Sequence, residues 1–151
     1  MNANRSDSIK DLERAIRVDP QYGVPYAVLA SIYNDDQRYD HAMPLIQRAL
    51  QLLPAAWPLH YEMARALCGA HQSFEALREV TEAERRMSAD KEAHANSIAA
   101  VHYLRGILLV DQHELAEATR EFGVSINTQP QGPLAAISTR IVARLESGAN
   151  R

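Results

Sequence analysis

The six histidines are the first side chains that could do chemistry, because imidazole is a common metal ligand. The metal-binding motifs that a sequence can reveal place their ligands at set spacings on one helix or in one loop. The sequence contains no H-E-x-x-H motif, and no two histidines stand four residues apart on one helix with a carboxylate partner. His94 and His102 are eight residues apart, which is too far for both to bind one ion. We therefore expect structural or solvated roles for the histidines and no metal ion.

The single cysteine, Cys68, is the second candidate for chemistry. A lone cysteine excludes an internal disulfide and a cysteine-rich metal centre. It could act as a nucleophile only beside a base, which His71 could supply, and no oxyanion-stabilising motif accompanies the pair. A free cysteine usually behaves as a small apolar residue. Since the sequence also has no glycine-rich phosphate loop, we expect no cofactor and no enzymatic activity.

Composition limits the classes of partner. The chain has 151 residues, 46% of them apolar, a net charge of −3 and a pI near 6.1. That length fits one domain, and the charge gives no basic patch of the kind that binds nucleic acid. No apolar run approaches the roughly 20 residues that cross a bilayer, so no membrane insertion is expected. The N-terminal residues show no secretory signal. The default expectation is therefore a cytoplasmic protein, with the periplasm as the alternative if an upstream signal was removed.

Residue types recur along the chain at a fixed spacing. Pro20 and Pro54 are thirty-four positions apart, and the same interval again leads to Ser88. Pro130 follows Ser88 by a longer interval, because the third copy contains eight extra residues. The aligned positions are Tyr26, Leu29, Ala30 and Tyr33; His60, Met63, Ala64 and Leu67; and His102, Arg105, Gly106 and Leu109, followed in each copy by a small residue (Ala42, Ala76, Ala118), a large apolar one (Ile46, Val80, Phe122) and another small one (Ala49, Ala83, Ser125).

This pattern resembles the tetratricopeptide repeat (TPR) family, in which an aromatic residue, Leu-Gly, Tyr, Ala, Phe and Pro recur over about 34 residues. The resemblance covers nearly the whole chain, although His60 and His102 stand at the aromatic place. It implies an all-α fold, a right-handed α-α superhelix of stacked helical hairpins, because one hairpin cannot bury its apolar face alone. It also implies a single TPR-like domain over residues 1–151, with a half repeat at 7–20, repeats at 23–54, 57–88 and 90–130, and a C-terminal capping helix at 133–147.

The two irregular segments each leave alternatives open. Residues 7–20 match only the second helix of a repeat. We expect either a piece cut from a longer protein or an open-ended stack, and the alternative is a simple N-terminal capping helix. The eight extra residues lie between Ser88 and Ala99, in a stretch without Pro or Gly. We expect them to lengthen a first helix by about two turns, from near Asp90 to Val110, in preference to forming a flexible loop.

Several local signals bear on the hairpins. Pro25, Pro58 and Pro133 are expected in first helical turns, where a missing amide hydrogen costs least. Asp40 and Ser73 are expected as N-caps for the second helices of two repeats.

Arg105 departs from the family pattern, which has an apolar residue at this place. Either its stem packs while its guanidinium reaches water, or the helix is rotated so that Leu104 and Leu108 are buried instead. The sequence favours neither arrangement.

The resemblance also implies where a partner binds. In the TPR family the first helix of each hairpin lines a concave groove, and ligand contacts come mainly from its second, fifth, ninth, twelfth and thirteenth residues. We expect Tyr61, Arg65 and Tyr103 at the centre, since Tyr and Arg often anchor interfaces. Counted from Gly23, Trp57 and Ala99, these places provide the candidate groove residues Asn34, Asp35, Tyr61, Arg65, Tyr103, Ile107 and Asp111.

One subset of the family binds the C-terminal carboxylate of chaperones with Lys, Asn, Asn, Lys and Arg. Binding of that type is not expected here, because none of the residues matches. The corresponding places hold Ala27, Ser31, Glu62, Ala100 and Leu104.

The function expected from the sequence is a protein–protein interaction module that holds a peptide or protein segment in the concave groove. One alternative is self-association, with a homodimer formed through the N-terminal half repeat and its apolar residues Leu12 and Ile16. Another is a regulatory domain excised from a larger enzyme or secreted protein. Fold alone does not decide among them.

Overall fold

The computed structural model describes residues 3–90 and 94–149 and contains no strand in those ranges, which confirms an all-α chain. Each helix of a predicted hairpin is present. The helices are α1 (Ala3–Val18), α2 (Gly23–Asp35), α3 (Tyr39–Leu52), α4 (Trp57–Gly69), α5 (Ser73–Met87), α6 (Ala95–Asp111), α7 (Leu115–Thr128) and α8 (Pro133–Ala149).

The chain divides into two compact units. Unit 1, Met1–Gln72, contains α1 to α4, and unit 2, Ser73–Arg151, contains α5 to α8. The division falls inside the segment 57–88, which the sequence assigns to one repeat. The interpretation of residues 1–151 as one domain therefore stays a prediction.

In unit 1, small side chains let α2 and α3 approach closely. Ala30 on α2 faces a cluster that includes Ala42, Ile46 and Ala49 on α3, and all four are fully buried. A methyl group is small enough that two helix backbones can approach while both keep their dispersion contacts. Met63 of α4 packs on the same cluster.

In unit 2, α6 and α7 meet at a glycine. A Cβ added to Gly106 would lie 2.7 Å from the ring of Phe122, which is closer than real Cβ contacts. Phe122 is fully buried, with Leu109 and Ala118 in the same cluster. The hydroxyl of Ser125, also fully buried, donates to a backbone carbonyl of α6 at 2.9 Å. Helix α8 packs on this cluster through Ile141, Val142 and Leu145.

Helices α2, α4 and α6 end in one backbone motif. After each helix a residue other than glycine adopts a left-handed conformation: Gln37 (φ 58°), His71 (φ 59°) and His113 (φ 63°). In the first case the amide of Arg38 donates to the carbonyl oxygen of Tyr33 at 2.8 Å, which is the long bond of a Schellman motif. Equivalent bonds close α4 and α6. The repeat is therefore present in the backbone, with the same two intervals between copies as in the side chains.

The prolines lie where the sequence predicts. Pro25 is the third residue of α2, Pro58 the second of α4 and Pro133 the first of α8. In contrast, the prediction that Asp40 caps α3 is wrong. The N-cap is Arg38, and Asp40 lies within the first turn, where its carboxylate pairs with Nδ1 of His41 at 2.8 Å.

The predicted start of the lengthened helix near Asp90 is also wrong. Helix α6 begins at Ala95, after an extended His94, and its 17 residues exceed the 13 of α2 and α4 by about one turn. The reason lies in α5, whose end is closed by turn hydrogen bonds that include Asp90 N to Met87 O at 2.9 Å. Asp90 therefore belongs to the turn that follows α5. Residues 91–93 lie outside the described residues.

Both Leu104 and Leu108 are buried, at 8% and 0% exposure. This finding corresponds to the rotated arrangement of α6, in which these leucines take the buried role. The side chain of Arg105 is nevertheless only 14% exposed, because its guanidinium is held by carboxylates of α5 and α7.

The left-handed residues give a direct test. Replacing Gln37 with Gly should raise the free energy of unfolding by about 0.5–1 kcal/mol, since the side chain makes this conformation costly and glycine relieves that cost. Urea denaturation followed by circular dichroism measures the change. Gln47→Gly, at an exposed position inside α3, is the matched control and should lower stability by about 1 kcal/mol. A loss of stability in both variants would contradict the left-handed conformation of Gln37.

Candidate functional site

In unit 1 the candidate residues of α2 and α4 meet at a side chain that the sequence did not single out as a groove residue. Glu62 of α4 accepts from Asn34 Nδ2 at 2.7 Å and from Arg65 Nη1 at 3.0 Å. It also accepts from the hydroxyl of Ser31 at 3.3 Å. Arg65 continues the network, because its Nη2 donates to Asp35 Oδ1 at 2.7 Å. Glu62 therefore ties α2 to α4.

Asn34 contributes from a buried position. The residue is 3% exposed, and its Nδ2 also donates to the backbone oxygen of Glu62 at 2.9 Å. Its Oδ1 is buried and has no hydrogen-bond partner among the described residues. Of the candidate residues of unit 1, Asn34 is thus the one that is enclosed by protein.

The charged members of the network are more open. The side chain of Asp35 is 52% exposed, that of Arg65 30% and that of Glu62 15%. Burial lowers the pKa of Arg65, but the hydrogen bond to Asp35 and the charge of Glu62 outweigh it and raise the pKa above its ordinary value. Arg65 therefore stays positively charged, and the side chains of its two carboxylate partners are partly exposed to solvent. Tyr61, its neighbour by four positions, is half-buried.

Asp35 and Asp36, at the C-terminal end of α2, both pair with arginine side chains. Arg5 of α1 donates to the carbonyl oxygen of Ile32 at 2.9 Å and pairs with Asp36 at 3.1 Å. Asp35 lies 3.9 Å from the same guanidinium. Each carboxylate of the pair thus has its own arginine, with Arg65 on Asp35 and Arg5 on Asp36. These pairs hold α1 against the end of α2.

In unit 2 the candidate residues Tyr103, Ile107 and Asp111 lie along α6. Tyr103 meets Phe122 edge-on, with ring centroids 5.9 Å apart and an interplanar angle of 60°. Tyr103 and Ile107 are partly buried against the Phe122 cluster. Asp111 is more open, and its Oδ2 accepts from the hydroxyl of Ser73 at 2.8 Å. The two apolar candidates therefore contribute to the core as well as to the surface.

Neither a metal site nor a membrane span is found in the described ranges. No three His, Cys, Asp or Glu side chains within residues 3–90 and 94–149 are grouped so that they could hold a metal ion. In the same part of the chain, no helix has the length and apolar character needed to cross a bilayer.

Solved structures similar to this chain decide the fold. MamA 41-end from Desulfovibrio magneticus RS-1 matches 99% of this chain and 89% of its own, with 16% identity and a TM-score of 0.72. PilW, a type IV pilus biogenesis factor, matches 92% of this chain and 63% of its own, with 22% identity and a TM-score of 0.76. The first TPR of Spaghetti (RPAP3), bound to the HSP90 peptide SRMEEVD, matches 88% and 97%, with 14% identity and a TM-score of 0.72.

The chain has a TPR fold. The fold class predicted from the repeat spacing, a TPR-like solenoid of helical hairpins, is thereby confirmed. At these identities the likeness establishes the fold alone. No protein-family model matches the sequence, and no curated protein matches it either.

Within this TPR fold, Glu62 is the member of the candidate site that the sequence indicates least. Its spacing to Arg65, three positions along one helix, is the usual signal of an ion pair. The bonds to Ser31 and Asn34 cross from α4 to α2 and depend on the register of two helices. A repeat alignment gives that register only approximately.

Removing the central carboxylate tests the network. Glu62→Ala leaves the buried Nδ2 of Asn34 with one acceptor fewer and Arg65 without a nearby anion on its own helix. We expect the free energy of unfolding to fall by about 1–3 kcal/mol, the usual cost of unpaired buried polar groups. Thermal and urea denaturation measure it. Glu13→Ala, at an exposed position of α1, should change stability by less than about 0.5 kcal/mol. Equal effects in the two variants would show that Glu62 does not tie the helices.

Proposed function

We propose that this chain is a protein-interaction module that binds a peptide or an extended protein segment along the first helices of its hairpins. In the TPR family these helices line the concave groove. The candidate contacts are Asn34, Asp35, Tyr61 and Arg65 in unit 1 and Tyr103, Ile107 and Asp111 in unit 2.

The observation that carries the proposal is the charged surface that α2 and α4 share. Asp35 and Arg65 are paired and partly open, and Tyr61 lies one turn before Arg65 on the same helix. A rigid, pre-paired cation beside an aromatic ring suits recognition, because little side-chain entropy remains to be lost on binding. Tyr and Arg are also the residue types that most often dominate binding energy.

The same surface favours a particular partner chemistry. Arg65 is already neutralised by Glu62 and Asp35, so a partner carboxylate would compete with two internal anions. Asp35 is also paired, with Arg65 at 2.7 Å and Arg5 at 3.9 Å, but its side chain is 52% exposed. A carboxylate accepts several hydrogen bonds at once, so Asp35 can still accept from backbone amides or basic side chains of a partner. We therefore favour a neutral or basic segment over an acidic C-terminal tail. The solved TPR neighbour that carries a peptide supports peptide binding in general terms.

Self-association is the second candidate. Val24 and Val28 lie four residues apart on one face of α2, and they are 43% and 44% exposed. Val18 at the end of α1 is 78% exposed. A face of this kind can be covered by a second copy of the chain. Leu12 and Ile16, which the sequence suggested as contacts, are half-buried on α1.

Peptide binding is tested by selection from a random peptide library on the immobilised chain, followed by fluorescence anisotropy with the selected peptides. Tyr61→Ala should weaken binding by about tenfold or more, the usual loss at an anchor residue. Tyr22→Ala, which removes an exposed tyrosine (52%) outside the candidate groove, should leave the affinity unchanged. Unchanged binding in Tyr61→Ala, with an unchanged circular dichroism spectrum, would contradict the groove assignment.

Self-association is tested by sedimentation equilibrium over a wide range of concentrations. If α2 forms the contact, the mass should rise with concentration, and Val28→Asp should abolish the rise because it places a charge in an apolar interface. A monomer at every concentration would remove this second candidate without affecting the first.

A further inference from the structure

In unit 2, His102 of α6 lies between two carboxylates from different helices. Its Nδ1 is 2.7 Å from Oε2 of Glu121 on α7, and its Nε2 is 3.9 Å from Oε1 of Glu84 on α5. The imidazole is 14% exposed, and the carboxylates are 21% and 36% exposed. The ring therefore stands at the meeting point of three helices, with one anion opposite each nitrogen.

A permanent cation completes the cluster. Arg105, nearly one turn after His102, pairs with Glu84 through Nη2 and lies 3.8 Å from Glu121 through Nη1. With a neutral imidazole the four groups carry one positive and two negative charges. Protonation of His102 brings the cluster to neutrality. In a partly buried place the balanced state is favoured, since water compensates charges there less than at an open surface.

Hydrogen-bond chemistry distinguishes the two protonation states. A neutral imidazole has a single N–H and can donate to one carboxylate only. An imidazolium has two, so it can donate to Glu121 through Nδ1 and turn Nε2–H towards Glu84. The 3.9 Å separation from Glu84 is beyond hydrogen-bond range and within reach of a small rotation of either side chain.

From this arrangement we propose that His102 is a pH-dependent link between helices: its protonated ring binds carboxylates of both α5 and α7, and its neutral ring binds α7 alone, in addition to the Arg105–Glu84 pair that joins α6 to α5 in both states. The proposal concerns unit 2 by itself and does not rest on the proposed peptide binding.

The other groups around the ring favour the same direction. A cavity of about 310 Å³ beside His102 is lined by Glu84 and Asp90 together with Met87, Ser88 and Ile98. The charged groups that pair with the imidazole, share this cavity with it or pair with its partners are thus Glu84 and Asp90 from α5 and its C-terminal turn, Glu121 from α7, and Arg105 from α6 itself.

The direction of the pH response follows from the charge of the Glu121 carboxylate and from the number of N–H donors on the His102 ring. Burial raises the pKa of Glu121, but the hydrogen bond with His102 and the charge of Arg105 outweigh it, so its pKa lies below the ordinary value of 4.5. Glu121 therefore remains an anion throughout mildly acidic conditions. Protonation of the imidazole adds the second N–H donor, and Glu121 stays a charged acceptor while it does so. The link from His102 to α5 forms as the pH falls and is lost as it rises.

Urea denaturation of the wild-type chain and of His102→Gln at pH 7.5 and 5.5 tests the proposal. The other five histidines are common to both proteins, so their titration cancels in the comparison. Acidification should raise the folding equilibrium constant of the wild type by about fivefold to tenfold relative to the variant, because the protonated ring adds a charge-assisted hydrogen bond to α5 that only the folded state makes. An identical pH response in the two proteins would overturn the proposal.

A second variant keeps the test valid if His102→Gln does not fold. Glu84→Gln retains an acceptor oxygen but removes one anion, so the titration midpoint of His102, followed by ¹⁵N NMR of the ring, should move to lower pH. Glu75→Gln, an exposed position in the first turn of α5, is the matched control and should not move it. A midpoint that is the same in both variants would also overturn the proposal.

Discussion

Close contact between helix backbones at small side chains is the constraint on which the rest of this structure depends. Ala30 and Ala42 lie fully buried in unit 1, and Gly106 meets the ring of Phe122 in unit 2. Where the side chain is a methyl group or a hydrogen atom, two helices pack at short range, and the larger residues on either side fill the remaining volume. That packing fixes the rotation of each helix about its axis. It thereby decides which residues are enclosed and which ones, such as Asp35, remain open to a partner.

Polar contacts form a second layer that differs between the units. In unit 1, Glu62 joins α4 to α2 through the buried amide of Asn34. In unit 2, His102 and Arg105 join α6 to carboxylates of α5 and α7. His102 and Arg105 occupy places where the repeat pattern is not followed, which is expected if the pattern encodes the shared packing and the departures encode what is particular to this chain. A buried polar group that is only partly paired stabilises less than a fully satisfied network.

Much of the fold could be predicted from the sequence, because apolar periodicity, proline positions and the regular repeat interval are all local signals. They located the helices that begin near Pro25, Pro58 and Pro133. The prediction failed at Asp90, where helix propensity favoured one long helix but turn hydrogen bonds at the end of α5 take precedence. For the candidate site, the sequence indicated the helices and several side chains. It did not reveal Glu62 as the link between them, since that role depends on the register of two helices.

Enlarging a small side chain at a helix contact is the most direct test of the central claim. Ala42→Leu should lower the free energy of unfolding by about 1–3 kcal/mol or more, because the added carbons have no space between α2 and α3. Ala136→Leu, at an exposed position of α8, is the control and should change stability by less than about 0.5 kcal/mol. Urea denaturation of the two variants beside the wild type measures both values. Stability in Ala42→Leu equal to that of the control would contradict the claim that close contact at small residues holds the hairpins together.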